Sequence, residues 1–247
     1  MGASLPSFAA SDFRTSGGTF IRALGGTGAA DAPYQLFDVY GLQGAGTQPG
    51  LSYTLVNPID ATATANWNAG AGFLPIGSSG GFSGSIDGAG YSISNLTINR
   101  PASTNVGLFG SVTSGGSIRN LGLVGGQVVG GSSVGGLAGT NAGQIINSFN
   151  TGTVTNGDGS MGGLVGVNTN TGNISSSYAS GNVFGAGGYN AGIGGLVGYN
   201  AGSISTSFAT GDLLGGGNTS YNNFANGGLV GYNEGGSINN SYSTGNV

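Results

Sequence analysis

A Gly-Leu-X-Gly step recurs five times in the second half of the chain and sets the pattern of apolar and polar positions there. The intervals between successive leucines are 29, 27, 32 and 33 residues. Self-similarity at a period of about 20–50 residues is typical of solenoids, propellers and repeat arrays. The leucines of the five steps are Leu108, Leu137, Leu164, Leu196 and Leu229.

Each unit continues with the same order of residue types. Four residues after the leucine comes an asparagine, except in the first unit, which has Val112. A glycine-containing turn leads to an isoleucine, and in the last four units an aromatic residue follows four positions later. The three sets are Asn141, Asn168, Asn200 and Asn233; Ile118, Ile145, Ile174, Ile204 and Ile238; and Phe149, Tyr178, Phe208 and Tyr242.

This spacing favours strands over helices. Residues i, i+2 and i+4 share one face of a strand, so each unit offers about three short strands separated by corners. A glycine inside a helix costs roughly 1 kcal/mol relative to Ala, and glycines recur every few residues. A single unit cannot bury its apolar face, whereas stacked units share a continuous core.

The predicted fold is therefore all-β: a right-handed parallel β-helix, or solenoid, with about one coil per repeat of roughly 30 residues. Residues 106–247 form the five repeats, and residues 1–105 form a β-rich part that caps or enters the solenoid. Two insertions between units, Gly185–Ile193 and Gly215–Gly227, are expected to be absorbed as loops.

Four sets of residues are predicted to stack as columns. We expect the leucines to form one buried column and the isoleucines another, with the aromatic residues beside them because four positions preserve the face of a strand. A sugar-stacking strip is the alternative interpretation of the aromatic residues. The asparagines form either an amide ladder along the axis or a set of turn residues.

Composition excludes several classes of protein. The 57 glycines show no Gly-X-Y triplet pattern, which excludes collagen, and 37% hydrophobic residues at regular spacing allow a packed core despite only 5% charged residues. A diffuse net charge of −4 argues against binding to nucleic acid. No apolar run approaches the length of a membrane span, so we expect no membrane insertion.

Catalysis, cofactors and metals are not expected. The chain has no histidine, cysteine or lysine, which removes Ser-His-Asp triads, thiolate or imidazole metal sites and Schiff bases. A carboxylate pair remains, for which Asp60 and Asp87 are the best candidates, although both also suit turns. The segment Asn156–Gly159 is interpreted as a turn rather than a calcium loop. Four glycosylation sequons, at Asn95, Asn173, Asn218 and Asn239, are expected by chance.

The repeats resemble a known motif. The segment Gly195–Gly211, GLVGYNAGSISTSFATG, is similar to the GLUG motif. The upstream part resembles the segment that precedes such motifs in secreted adhesins of the filamentous haemagglutinin type. The residues that carry this resemblance are Tyr53–Ala61, Trp67-Asn68, Gly72–Gly77, Phe82–Gly88 and Ile93–Ile98.

The resemblance, which covers about residues 34–247, implies a context rather than a ligand. It implies a β-helix in the passenger of a bacterial surface protein exported by two-partner secretion, with an outer-membrane secretion partner. GLUG motifs also occur beside peptidase domains. We expect the chain to be an internal piece of a longer protein, and its last coil to favour end-to-end self-association because it leaves strand edges unpaired.

Three functions are compatible with these observations. The first is a structural and adhesive segment of a secreted or cell-surface adhesin, displaying loops to a glycan or protein receptor on host, matrix or bacterial surfaces. The second is a carbohydrate-binding β-helix module, which would need exposed aromatic residues. The third is an ice-binding or filament-forming solenoid, for which the mixed column Thr151, Ser180, Thr210 and Thr244 is poorly suited.

Overall fold

Short parallel strands stack in register as four sheets that run along one axis. The structure, a computed structural model, describes residues 5–156, 158–185, 192–215 and 225–247. The strands form a β-solenoid of about 6 turns with little helix, as predicted. The right-handed sense of the coil stays a prediction. Within the described ranges, no helix is long and apolar enough to cross a membrane.

The first sheet, here the isoleucine sheet, has eight strands. Its register places Ile118, Ile145, Ile174, Ile204 and Ile238 in one column. The strands are Tyr34–Leu36, Ser52–Leu55, Ser85–Asp87, Ser117–Arg119, Gln144–Ile146, Asn173–Ser175, Ser203–Ser205 and Ser237–Asn239.

The second sheet, here the aromatic sheet, has seven strands and follows the isoleucine sheet in each coil. Phe149, Tyr178, Phe208 and Tyr242 occupy equivalent positions in successive strands. The strands are Ile59–Asp60, Ser92–Ser94, Gly122–Val124, Phe149–Asn150, Tyr178–Ala179, Phe208–Ala209 and Tyr242–Ser243.

The third sheet, here the long-strand sheet, has eight strands, of which the first two are long. Later coils contribute two short strands each, which stack on the two halves of Gln127–Gly135. The strands are Thr97–Val106, Gln127–Gly135, Thr153–Asn156, Met161–Gly162, Val183–Gly185, Gly192–Gly194, Leu213–Gly215 and Ala225–Gly227. Insertions therefore fall between the paired short strands; residues 186–191 and 216–224, which make up most of them, lie outside the described residues.

The fourth sheet, here the asparagine sheet, has five strands and closes each coil. Each strand follows the leucine of a Gly-Leu-X-Gly step and ends at the asparagine, or at Val112 in the first unit. The strands are Phe109–Val112, Ala138–Asn141, Val165–Asn168, Val197–Asn200 and Val230–Asn233.

The glycines of the Gly-Leu-X-Gly step permit close contact between coils. A Cβ atom on Gly163 would overlap the carbonyl oxygen of Gly195 in the next coil and lie 2.8 Å from Ala179 Cβ. A Cβ atom on Gly195 would lie 2.9 Å from Ala209 Cβ. The motif is thus explained by steric limits on both sides, because neither the neighbouring backbone nor the inner face of the aromatic sheet leaves room for a side chain.

The leucine and isoleucine columns fill the interior. Four leucines, Leu108, Leu137, Leu164 and Leu196, are fully buried, as are the isoleucines from Ile118 to Ile204. In the last coil, Leu229 is partly buried and Ile238 is 38% exposed. Burial of these side chains in every inner coil supplies the main driving force for stacking.

Residues before the repeats contribute coils to the same solenoid. Thr97–Val106 pairs along its length with Gln127–Gly135, so the strand runs across the expected boundary at residues 105 and 106. The irregular features are an α-helix, Val39–Ala45, and a 3₁₀ segment, Thr62–Gly70. The Asp38 side chain caps the α-helix by accepting a hydrogen bond from Gly41 N at 2.8 Å.

Candidate functional site

The aromatic residues of the last four units form an outward column, here called the aromatic strip: Phe149, Tyr178, Phe208 and Tyr242. The centroids of the four rings are separated by 4.8, 4.8 and 5.3 Å in order along the strip, and the planes of neighbouring rings differ by only 2–8°. Three of the rings are half-buried and the last is 55% exposed. The expectation that these rings lie inside, beside the isoleucines, is wrong.

A left-handed corner residue between the two sheets explains this difference. Asn147, between Ile145 and Phe149, has φ 48°, and the equivalent Ser176 and Thr206 both have φ 50°. This conformation breaks the alternation of faces, so the residue four positions after the isoleucine points outward. The residue after each ring points inward instead, as Asn150 and Ala179 do.

The rings are stacked with an offset. Carbon atoms in contact lie about 3.5–4.0 Å apart, whereas the closer centroids of parallel rings here are separated by 4.8 Å. Neighbouring rings must therefore slide past each other, which is the favoured geometry for aromatic pairs. Each ring also keeps part of its surface exposed to solvent. At the N-terminal end of the strip, the Phe149 ring packs over Gly122. A Cβ atom on Gly122 would overlap the Phe149 ring.

A column of hydroxyl side chains runs beside the strip. Two positions beyond each ring lies Thr or Ser, and the backbone of each is held by the preceding coil. We call these residues the hydroxyl row: Thr151, Ser180, Thr210 and Thr244. Thr151 Oγ1 accepts a hydrogen bond from Gly125 N at 2.9 Å. Among the described residues, Ser180 Oγ and Thr210 Oγ1 have no side-chain hydrogen bond.

The strands that carry the strip are uncharged, although Asp212, two residues beyond Thr210 of the hydroxyl row, accepts hydrogen bonds from Asn246 N and Nδ2 at 2.8 and 2.9 Å. From Gly122–Val124 to Tyr242–Ser243, the strands of the aromatic sheet contain no Asp, Glu, Lys or Arg. The adjacent corner carries the polar residues Asn147, Ser176, Thr206 and Asn240. The site therefore combines apolar ring surface with neutral hydrogen-bonding groups on both sides.

The asparagines form a buried amide ladder. Asn141 Nδ2 donates to Asn168 Oδ1 at 2.9 Å, Asn168 Nδ2 donates to Asn200 Oδ1 at 2.8 Å, and Asn200 Nδ2 donates to Asn233 Oδ1 at 2.7 Å. The first three of these residues are fully buried. The ladder satisfies polar groups inside the solenoid, so it is a structural feature rather than a binding site.

The two candidate acids, Asp60 and Asp87, lie on different sheets and have separate partners. Asp60, at the end of its strand in the aromatic sheet, accepts hydrogen bonds from Thr62 N and Oγ1 at 2.9 and 2.6 Å, and these hydrogen bonds hold the pKa of its carboxyl below the ordinary value. Asp87, in the isoleucine sheet, binds Arg119 Nε at 2.9 Å and Asn120 Nδ2 at 3.0 Å. In the described part of the chain, no hydrogen bond joins Asp60 and Asp87, and no side chain is hydrogen-bonded to both.

Burial raises the pKa of Asp87, but hydrogen bonds from Asn120 and Ala89 N and the charge of Arg119 together lower it below its ordinary value. Asp87 is thus a stable carboxylate at neutral pH. The same arrangement makes it a poor general acid, because such an acid must hold a proton near the working pH.

The remaining candidate segments do not converge on a site. No group of three potential metal-ligating His, Cys, Asp or Glu residues occurs among the described residues. Asp158 N donates to Gly131 O at 2.9 Å, while Gly157 beside it lies outside the described residues. Of the sequon asparagines, Asn95 and Asn239 are exposed, and Asn173 Nδ2 donates to Gln144 Oε1 at 2.9 Å. Asn218 lies outside the described residues.

Sequence reasoning missed two features. A serine precedes each ring of the strip, and these serines form a column in which Ser148 N donates to Ser177 Oγ at 3.1 Å and Ser177 N to Ser207 Oγ at 3.2 Å. The repeated Ser-aromatic pair was the available signal. A second stacked pair, Tyr199 and Tyr232, lies on the outer face of the asparagine sheet with centroids 5.7 Å apart.

Comparison with known proteins shows GLUG repeats in this chain. The family described as "The GLUG motif" matches residues 130–155, 157–183, 189–214 and 222–247, which are the last four of the five units. The chain is 39% identical over 163 residues to halomucin of Haloquadratum walsbyi, covering 62% of this chain and 2% of halomucin. It is 38% identical over 129 residues to the "Putative Gly-rich membrane protein" of Evansella cellulosilytica, covering 50% of this chain and 15% of that protein.

A solved structure shares the fold. The crystal structure of a "putative immunoglobulin A1 protease" from Bacteroides ovatus superposes with a TM-score of 0.63 and 22% sequence identity. The match covers 88% of this chain and 77% of the other. At this identity the likeness shows the solenoid architecture alone.

Proposed function

We propose that this chain is a structural repeat segment of a secreted or cell-surface protein and that its outer faces make adhesive contacts. The observation that carries the proposal is the in-register repetition of the same outward side chains from coil to coil. Such repetition produces a long uniform surface, and extended surfaces of this kind are how solenoid proteins engage their partners.

The relatives support a surface context. One is named as a membrane protein and the other as a halomucin, and the chain spans 15% and 2% of their lengths. A short segment matched within a much longer protein is typical of a repeated module. The proposal extends to a partner on the host, matrix or bacterial surface, which is a glycan or a protein. Export through an outer-membrane partner and end-to-end self-association both stay predictions.

The proposed role is non-catalytic. The chain lacks histidine, cysteine and lysine, and Asp60 and Asp87 are held apart on two sheets with their own partners. The name of the solved structure belongs to that protein, and the shared fold is compatible with many functions. The role that these residues support best is mechanical and adhesive.

Antibody labelling tests the location. Antibodies raised against residues 1–247 should label intact cells that produce the parent protein, and external protease should remove the signal. An antibody against a cytoplasmic protein is the control for cell integrity. Labelling that requires permeabilised cells would contradict the proposal.

A bead assay tests the adhesive role. Beads coated with the folded chain should bind target cells or matrix more strongly than beads coated with the heat-denatured chain. Equal attachment of both would show that the contacts do not depend on the solenoid surface.

A further inference from the structure

The rings of the aromatic strip lie outside the buried core, which does not need them to be well packed. These rings point away from the interior, and each inward neighbour packs against a Gly-Leu-X-Gly glycine, as Ala179 does against Gly163. The core is therefore complete without the rings. Partly exposed apolar side chains that recur contiguously along a surface mark an interaction site in many soluble proteins.

The geometry of the strip favours a linear ligand. One ring and one hydroxyl recur in each coil, with ring centroids 4.8–5.3 Å apart along the axis. Each ring keeps part of its surface exposed, which the apolar face of a ligand can contact. A chain of repeating units laid along the axis would place successive units over successive rings.

The chemistry of the surroundings favours a neutral, hydroxyl-rich ligand. Ser180 Oγ and Thr210 Oγ1 have no side-chain hydrogen bond among the described residues, and the strands of the strip carry no charge. A nucleic acid would require cationic side chains. A peptide that adds a strand would require an unpaired sheet edge, whereas the backbones of Tyr178–Ala179 and Phe208–Ala209 are paired on both sides.

We infer that the aromatic strip and the hydroxyl row bind a neutral polysaccharide chain laid along the solenoid axis. Sugar rings provide both an apolar C–H face for the aromatic rings and hydroxyl groups for the hydroxyl row. The inference rests on the proposed contact function and names the ligand class of that surface.

Affinity electrophoresis of the full chain tests the inference. The chain carries a net charge of −4, so it migrates in a native gel, and binding to an immobile polysaccharide retards it. The gels contain hydroxyethyl cellulose, galactomannan or dextran as neutral probes and alginate as an anionic probe. We expect retardation by at least one neutral probe and little retardation by alginate.

The key variant is Tyr178→Ser combined with Phe208→Ser, which removes the two central rings without changing the charge. We expect the dissociation constant for the retarding probe to rise by at least about tenfold, as the loss of two aromatic contacts implies. Tyr178→Phe keeps the ring and should bind like the original chain. Tyr199→Ser is the matched control, because it removes an outward stacked tyrosine from a different sheet.

Folding of each variant is checked by circular dichroism and thermal denaturation. Tyr242→Ser provides a second variant if the double variant does not fold, because its ring is 55% exposed and ends the strip. It should weaken binding while leaving the denaturation midpoint nearly unchanged.

Several results would overturn the inference. These are no retardation by any neutral probe, equal retardation of the double variant, stronger retardation by alginate, or loss of binding in Tyr199→Ser. Self-association that depends on Tyr178 and Phe208, without polysaccharide binding, would also overturn it by assigning the strip to a second copy of the chain. The antibody labelling of intact cells does not depend on the strip. A negative result in the polysaccharide experiments would therefore leave the proposed surface location unaffected.

Discussion

The first third of the solenoid buries its largest aromatic rings, whereas the last four repeats carry their described aromatic rings on the outer face. Trp67, Phe73 and Phe82 are fully buried, but every ring of the aromatic strip is partly exposed. In the last four repeats, the inner apolar positions hold Leu, Ile, Val, Ala and Met161 between glycines that contact the neighbouring backbone, and Phe109 in the first repeat is the buried ring nearest to them in the chain. The comparison shows that the glycine-lined interior of these repeats holds aliphatic side chains, and that their large aromatic rings lie on the outer face.

The packing of the rings also differs. Phe13 meets Tyr40 edge-on, with planes at 85° and centroids 5.3 Å apart, and meets Trp67 at 56°. Rings in the strip are nearly parallel because their strands stack in register. Each ring contact of the first third occurs once in the chain, whereas equivalent ring contacts recur from coil to coil in the repeats.

The largest expected effect comes from truncating the unique aromatic core. Trp67→Ala should lower the free energy of unfolding by about 3–5 kcal/mol, because it leaves a large cavity in a well-packed site. Trp67→Phe should cost less, since Nε1 of Trp67 is buried without a hydrogen-bond partner among the described residues and no such bond is lost. Chemical denaturation of both variants measures the difference, and equal costs would contradict this view of the site.

Truncation of the leucine column should have the next largest effect. Leu196→Ala should cost about 2–5 kcal/mol, because Leu196 is fully buried between coils. An unchanged denaturation midpoint would contradict its placement in the core. Leu229→Ala is the matched comparison and should cost less, because Leu229 is only partly buried in the last coil.

Interruption of the amide ladder should cost less than either cavity. Asn168→Ala removes the acceptor of Asn141 and the donor to Asn200, and unsatisfied buried polar groups cost about 1–3 kcal/mol. The control is Asn173→Ala, whose half-buried side chain donates to Gln144 and accepts from Ser203 on the outer face. Because water can replace these two hydrogen bonds, the change in stability should be about 0.5 kcal/mol or less. Similar losses of stability in both variants would contradict the expectation that buried ladder hydrogen bonds contribute more to stability than those on the outer face.

Removal of one outer ring should have a smaller effect on stability. Phe149→Ala, which removes the single stacked pair with Tyr178, should cost about 0.5–1.5 kcal/mol, the range for one aromatic pair beyond its burial. Differential scanning calorimetry should show a modest decrease in the denaturation midpoint. A loss as large as that of Leu196→Ala would place the ring in the core after all.

The smallest expected effect is electrostatic and depends on pH. The pKa of Asp87 is lowered in the folded chain, so its stabilising contribution is present at neutral pH and is lost as the pH falls below about 4. For an exposed ion pair this contribution is about 0.2–1 kcal/mol. Asp87→Asn should therefore be less stable than the original chain at pH 7, and the difference should be smaller at pH 3. A constant difference between the two pH values would contradict this assignment.

The repeat pattern was sufficient to predict the coils, since the intervals between Gly-Leu-X-Gly steps directly reflect the length of a turn. It also gave the amide ladder as one of two alternatives for the asparagines, because equivalent residues in parallel in-register strands meet, and the structure shows the ladder. The face of the aromatic residues could not be predicted by counting positions. The residues two positions after the isoleucines adopt positive φ at one corner: Asn120, Asn147, Ser176, Thr206 and Asn240. Asn favours this conformation, but Ser and Thr at the other two positions give no such signal.

The first third was harder to predict for a different reason. Its helix, Val39–Ala45, contains two glycines and depends on tertiary contacts: the Asp38 cap is also bound by Arg22 Nε at 2.6 Å. Gln43 in the same helix bonds both the N and O atoms of Leu74 at 2.9 Å. Long-range contacts of this kind occur once in the chain, so no periodicity reveals them.

The direction of the hydrogen bonds between coils determines how the molecule responds to tension. Bonds such as Leu164 N to Leu196 O, 3.0 Å, and the amide ladder join one turn to the next, so they lie along the axis. A force that pulls the two ends of the solenoid apart acts parallel to these hydrogen bonds, so the bonds between one pair of coils break before those of the next pair. Each coil of about 30 residues would release about 100 Å of extended chain. A tether built from such coils lengthens stepwise under load and limits the peak force on whatever it holds.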